Sequence, residues 1–182
     1  MRTIKRLAAA LMAATFLVNA TPALAELPSP QVVGLSLLHA ADITGYPVPR
    51  VEAGVTGKGT VVSVPILPRV VEDATFLDEI GAAAAYNHIT NTLTLDEDFN
   101  PRNLSDAAVL THELIHYLQD AQGLLGEDPG CLERWEAEKQ AYDGMFDYIS
   151  RVTGITEKGE LMELANVSPL VYILVTNPTG QM

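Results

Sequence analysis

Residues 111–117 read Thr-His-Glu-Leu-Ile-His-Tyr and contain the pattern H-E-x-x-H. On an α-helix, side chains four apart stack one turn above the other at about 5–6 Å between Cβ atoms. His112 and His116 can therefore offer two imidazole nitrogens to one zinc ion. Glu113 lies beside them, where a carboxylate can take a proton from water and pass it to a leaving amine. The competing reading is two surface histidines on an ordinary helix. Histidine is scarce, 4 in 182 residues, so chance produces the pattern in about one such chain in a hundred or fewer.

Signals for a helix surround the motif. Ser105 is the expected N-cap, Asp106 complements the positive end of the helix dipole, and Gly123 is the expected C-terminal stop. Leu110, Leu114, Tyr117, Leu118 and Ala121 form one broad apolar sector, while Val109, His112, Glu113, His116 and Asp120 fall on the other side. A helix apolar over so wide an arc belongs at the centre of its domain.

Two histidines need at least one more protein ligand. After a loop over 124–130, Asp128 and Pro129 offer an N-cap and N1 pair for a long helix over 130–152, stopped at Gly154. It carries Glu133, Glu136 and Glu138. Cys131, Trp135, Tyr142, Phe146 and Ile149 form an apolar stripe, and Glu138 falls inside it, one turn before Tyr142. A lone carboxylate on a buried helix face costs several kcal/mol unless paired or metal-bound, so Glu138 is the first choice for third ligand. Glu136 is the second, and Glu133 is expected in solvent. The rival role for Glu138 is pairing with a buried cation such as Arg134 or Arg151.

Upstream, residues 82–86 and 92–95 flank the polar turn 87–91, a hairpin signal. The alanine run 82–85 would by propensity favour helix.

H-E-L-I-H followed by E-K-Q-A on a second helix resembles the gluzincin branch of the zincin metallopeptidases. The resemblance covers roughly residues 82–152. It implies zinc ligands His112, His116 and Glu138, Glu113 as general base, and Ala141 as the small residue where the two helices approach. It also implies an edge strand before the metal helix that receives an extended peptide by main-chain pairing. Many members carry an acidic residue four after the ligand Glu; here Tyr142 stands there, with Asp143 next to it. Tyr142, Tyr86 and His88 are candidate oxyanion donors. No third histidine or methionine turn follows His116, unlike the metzincin branch.

The chain begins with Arg2, Lys5 and Arg6, an apolar run over 7–18, and Ala23-Leu24-Ala25. That order reads as a secretory signal peptide over 1–25, cleaved after Ala25, and places residues 26–182 as one domain in the periplasm or outside the cell. An uncleaved anchor is disfavoured, because the run falls short of the ~20 residues a bilayer span needs. The formal charge of −12 disfavours nucleic acid and anionic membranes as partners and leaves protein, peptide or glycan, of which the resemblance implies a peptide or protein substrate. Cys131 is the single cysteine, so no internal disulfide forms and the side chain is expected as a small buried hydrophobe.

Ser29-Pro30 opens a helix over 30–43, stopped by residues 45–49, and His39 within it is expected to be hydrogen-bonded and partly buried. Residues 54–59 read as a turn, 60–66 as a strand that Pro65 places at an edge or ends at a bulge, and 70–80 as a short helix or irregular stretch. Residues 156–165 and 170–175 read as short helices. The expected class is α+β: a small antiparallel or mixed sheet with an edge strand, packed on a mostly helical zincin-like body. The expected activity is zinc-dependent peptide-bond hydrolysis, against the alternative of a catalytically inactive zincin-fold binding or envelope-associated protein.

Overall fold

The computed structural model describes residues 27–176 apart from Lys58 and Glu127. The expected leader over 1–25 and its cleavage position lie outside the described residues. The class is α+β, with two small sheets and a largely helical body.

Helix α1 (Pro30–Thr44) starts as its sequence dictates. The Ser29 side chain accepts from the Val32 N–H, proline occupies the first turn, and Gly45 closes the helix at φ 73°. Strands β1 (Arg50–Val55) and β2 (Val61–Pro65) pair antiparallel as a separate ribbon. Strand β3 (Arg69–Glu72) runs into helix α2 (Ala74–Ile80), capped by Asp73. Then come β4 (Ala84–Asn87) and β5 (Thr92–Leu95), the expected hairpin. Alanine propensity yields here to pairing, because Ala84 is buried against the core and burial outweighs a weak intrinsic preference.

The sheet order is β3-β5-β4, with β3 parallel and β4 antiparallel to β5. Of the stretch 70–80 expected as a short helix or irregular, Ala74–Ile80 is helix and 70–72 is strand, because Val70 and Val71 gain parallel partners in Leu93 and Thr94. Gly54 and Val55, expected within the turn over 54–59, belong instead to strand β1, because they pair with Val62 and Val61 of β2.

Helix α3 (Leu104–Ala121) is buried almost throughout from Ala107 to Gln119. Its cap is Asn103, whose side chain accepts from the Ser105 N–H at 3.2 Å, so Ser105 lies inside the helix rather than capping it. One side of α3 joins Val33 and Leu37 of α1 and Leu93 and Leu95 of β5 in the main core. Ala108 on its other side joins Met145, Phe146 and Ile149 of helix α4 (Cys131–Thr153). The face opposite the main core is thus covered by a second layer of helices.

Helix α4 begins after Gly130 rather than at the Asp128-Pro129 pair, and Glu133 caps it by accepting from the Gly130 N–H at 2.6 Å. Glu133 is exposed, as expected, and also caps the helix. Cys131 is exposed, contrary to expectation, because the first turn of α4 extends beyond the core. At Gly144 the packing against α3 is so tight that a Cβ atom would run into Ile115 Cδ1. Ala141, one turn earlier, is fully buried in the main core. Helices α5 (Lys158–Leu164) and α6 (Pro169–Thr176) follow, and Leu161 and Tyr172 pack towards α4.

Candidate metal centre

His112 and His116 project from adjacent turns of α3 towards α4, and both are buried. Their Nε2 atoms stand 3.1 Å apart. Glu138 reaches across from α4 with one carboxylate oxygen for each, Oε2 at 3.4 Å from His112 Nε2 and Oε1 at 3.5 Å from His116 Nε2. Bonds of about 2.0–2.1 Å at tetrahedral angles set donor atoms about 3.3–3.4 Å apart. Each histidine faces a different Glu138 oxygen, so the three separations do not define one tetrahedral face, but two imidazole nitrogens and a carboxylate with one ligand atom each within 4.8 Å of the others are a donor set of the kind that holds a zinc ion. Glu136 is exposed and forms no part of this cluster. Arg134 and Arg151 pair elsewhere, with Asp128 and with Asp42 and Asp147.

Glu138 does not sit deep in the apolar stripe, as its helical phase suggests. Its side chain is 45% exposed, at the rim of the cluster. Burial works to raise its carboxyl, but hydrogen bonds and charge from the two histidines prevail and hold it well below the usual carboxylate range. Burial works to lower the His116 imidazole, and here the Glu138 hydrogen bond and the nearby carboxylates win and raise it.

Glu113 is buried beside the pair, with Oε1 4.0 Å from His112 Nε2. Its other oxygen accepts from the backbone N–H of Tyr86 at 2.7 Å. Strand β4 is an edge of its sheet, so this N–H points away from β5 and is free to hold a side chain of α3. Burial pushes the Glu113 carboxyl up, against the pull of His112, His116 and the Tyr86 N–H. A carboxyl tuned upward and fixed in orientation suits proton transfer near neutral pH.

The two imidazoles are supported differently. His116 Nδ1 lies 2.8 Å from Gln119 Oε1, whose amide also donates to the Ala137 carbonyl at 3.0 Å and to Gln140 Oε1 at 2.8 Å. Gln140 Oε1 accepts from the Tyr46 hydroxyl at 3.0 Å as well. His112 has no such chain. Its Nδ1 is buried without a hydrogen-bond partner among the described residues, and the Tyr142 ring stands edge-on to the imidazole with centroids 4.6 Å apart.

Of the oxyanion candidates, Tyr86 has its hydroxyl engaged with Asp120 at 2.8 Å and Asn91 at 3.2 Å. His88 sits in the β4–β5 turn with Nε2 buried and unpartnered. Tyr142 alone of the three touches a histidine of the cluster. His39 is half-buried as expected, but its contact is the edge of Tyr148 and its Nε2 lacks a hydrogen bond.

Comparison of the chain with protein-family models, curated proteins and solved structures gave no match. Sequence reasoning missed the Tyr86 N–H and the Gln119–Gln140 chain. Gln119 had a signal, being a polar residue three after His116 on a helix buried all round. The Tyr86 contact had none, because any residue carries an N–H.

Proposed function

We propose that this chain is a zinc-dependent peptidase of the gluzincin kind, acting on peptide or protein substrates in the periplasm or outside the cell. The observation that carries this reading is the convergence of His112, His116 and Glu138, with one ligand atom from each within 4.8 Å of the others, and the buried Glu113 held beside them. A bound zinc ion would supply Lewis acidity to a carbonyl oxygen and acidify water.

The protein groups would do the rest. Glu113 accepts a proton from the water that attacks the scissile carbonyl, then gives it to the departing amine nitrogen as the C–N bond breaks, and returns to carboxylate. The Tyr86 N–H keeps the Glu113 carboxylate from rotating away, which lowers the orientational cost of that transfer. The Gln119–Gln140 chain fixes the ring of His116. The exposed rim at Glu138 supports an opening through which a peptide reaches the cluster.

The test is metal analysis of the purified chain combined with cleavage of a broad peptide library. One zinc per chain and cleavage by wild type are expected. Glu113→Gln should retain zinc and lose cleavage by about 100-fold or more. A chain that cleaves equally well after that substitution overturns the assignment.

A second reading, a metal-binding protein on this scaffold without turnover, is favoured by the unsupported Nδ1 of His112. It requires zinc binding with no cleavage by wild type.

A further inference from the structure

A cavity of about 790 Å³ lies between the C-terminal end of α3 and the first half of α4, and none of His112, Glu113, His116 or Glu138 lines it. Its size is ordinary for a small-ligand site. Trp135 and Tyr46 give it two aromatic walls, and Gln119 and Gln140 form the wall nearest the histidines. Gln140 spends its carbonyl oxygen on Gln119 and Tyr46, and its own N–H groups have no partner among the described residues.

The charged lining is unbalanced. Glu133, Glu136 and Asp143 stand against Lys139 alone. Lys139 is committed to Asp143 at 2.7 Å, and Glu133 accepts only a neutral backbone N–H. Glu136 has no partner among the described residues. Two carboxylates without a cationic partner among the described residues, beside two aromatic side chains, attract a cation carried on an apolar stem and repel an anion.

We propose that this cavity is a second ligand site, taking a guanidinium or primary ammonium group on an apolar stem, and that Gln140 and Gln119 transmit its occupancy to His116. The hydrogen-bond chain from Tyr46 through Gln140 and Gln119 to His116 runs from the cavity wall to an imidazole of the cluster. A ligand that draws on Gln140 therefore shifts the bond that orients that ring.

Trp135 is the chain's single tryptophan, so intrinsic fluorescence reports on the cavity directly. Metal-free protein is titrated with N-acetylarginine amide, N-acetyllysine amide, neutral N-acetylnorleucine amide and a short peptide with an internal arginine. A saturable response to the charged probes is expected, weaker by about fivefold for norleucine amide and for Glu136→Gln with the arginine probe. Binding of the capped amino acids assigns a free small cation as sufficient, and binding of the peptide alone assigns a side chain in a longer chain. No saturable response to any charged probe, or equal affinity for norleucine amide, overturns the site.

Circular dichroism confirms that Glu136→Gln, an exposed helix position, remains folded. Coupling is read from the His116 ring resonances by NMR in the same metal-free protein. They should move on saturation while those of His39 do not, and the movement should vanish in Gln119→Leu. Unmoved His116 signals at saturation overturn the coupling. None of these readouts depends on peptidase activity.

Discussion

Glu138 is half-exposed, yet its carboxyl is held below the usual range because two imidazoles share it. Its replacement removes one of the three donors proposed for zinc, so Glu138→Gln should weaken zinc binding by about 100-fold or more, whereas Glu136→Gln should leave it unchanged; competition with a chromophoric chelator measures both. Gln119→Leu should cost about 10- to 100-fold in the same assay, since it frees the His116 ring and strands the Ala137 carbonyl. Without metal, the cluster also makes stability depend on pH. Glu113 and His116 both have raised pKa values when folded, against ordinary values of 4.5 and 6.5. The folded chain then binds more protons than the unfolded one above those values, so stability falls as pH rises. The lowered Glu138 acts oppositely, its contribution being present above the ordinary carboxylate range and lost in acid. Thermal melts of metal-free protein should therefore show a lower Tm at pH 8 than at pH 5.5, and added zinc should raise the Tm most at pH 8.

Among the elements, α3 and α4 decide the site, and their spacing is set by what they lack. Gly144 leaves room for Ile115, and Ile43 of α1 lies 3.4 Å from where its Cβ would be. Three helices meet there, so no neighbour can yield without moving another. Gly144→Ala should destabilise by about 1–3 kcal/mol despite alanine's better helix propensity, read from urea unfolding. An exposed Gly→Ala, such as Gly159 with open space around its Cβ position, should not reproduce this loss. Helix α3 also fixes β4 twice, by the Glu113 bond to the Tyr86 N–H and by the Tyr86 hydroxyl on Asp120. An edge strand tied to the helix that bears the histidines keeps Glu113 and the N–H that holds it in one rigid unit.

Across the whole molecule, cohesion is uneven. The main core gathers α1, β4, β5 and α3 around fully buried Leu37, Leu93, Leu110, Leu114 and Leu118. The β1–β2 ribbon stands outside it, with Val51, Val55, Val61, Val62 and Val64 all exposed. A two-stranded ribbon without a covering layer is marginal in water. Its base is tied by the Tyr117 hydroxyl to the Ile66 carbonyl at 2.8 Å. Amide protons of β1 and β2 should exchange at least about 100-fold faster than those of Leu114 and Ile115 in α3, which open only with the core. Hydrogen exchange read by mass spectrometry decides this, and equal protection would mean that something covers the ribbon.

The sequence by itself determined what repeats over a few residues. It marked the Ser29-Pro30 start of α1, the β4–β5 hairpin, the shared helix face of His112 and His116, and the second helix that carries Glu138. Caps, turns and the helical period are set by groups within about four positions of one another, so they are written locally. Tertiary structure alone decided the parallel pairing of β3 with β5, the Gly144 approach, the half-exposed stance of Glu138 and the bonds that orient Glu113 and His116. Tyr86 and Glu113 are 27 positions apart, Gln119 and Gln140 are 21, and Tyr46 and Gln140 are 94. Such contacts depend on how whole elements pack, and no local period encodes them.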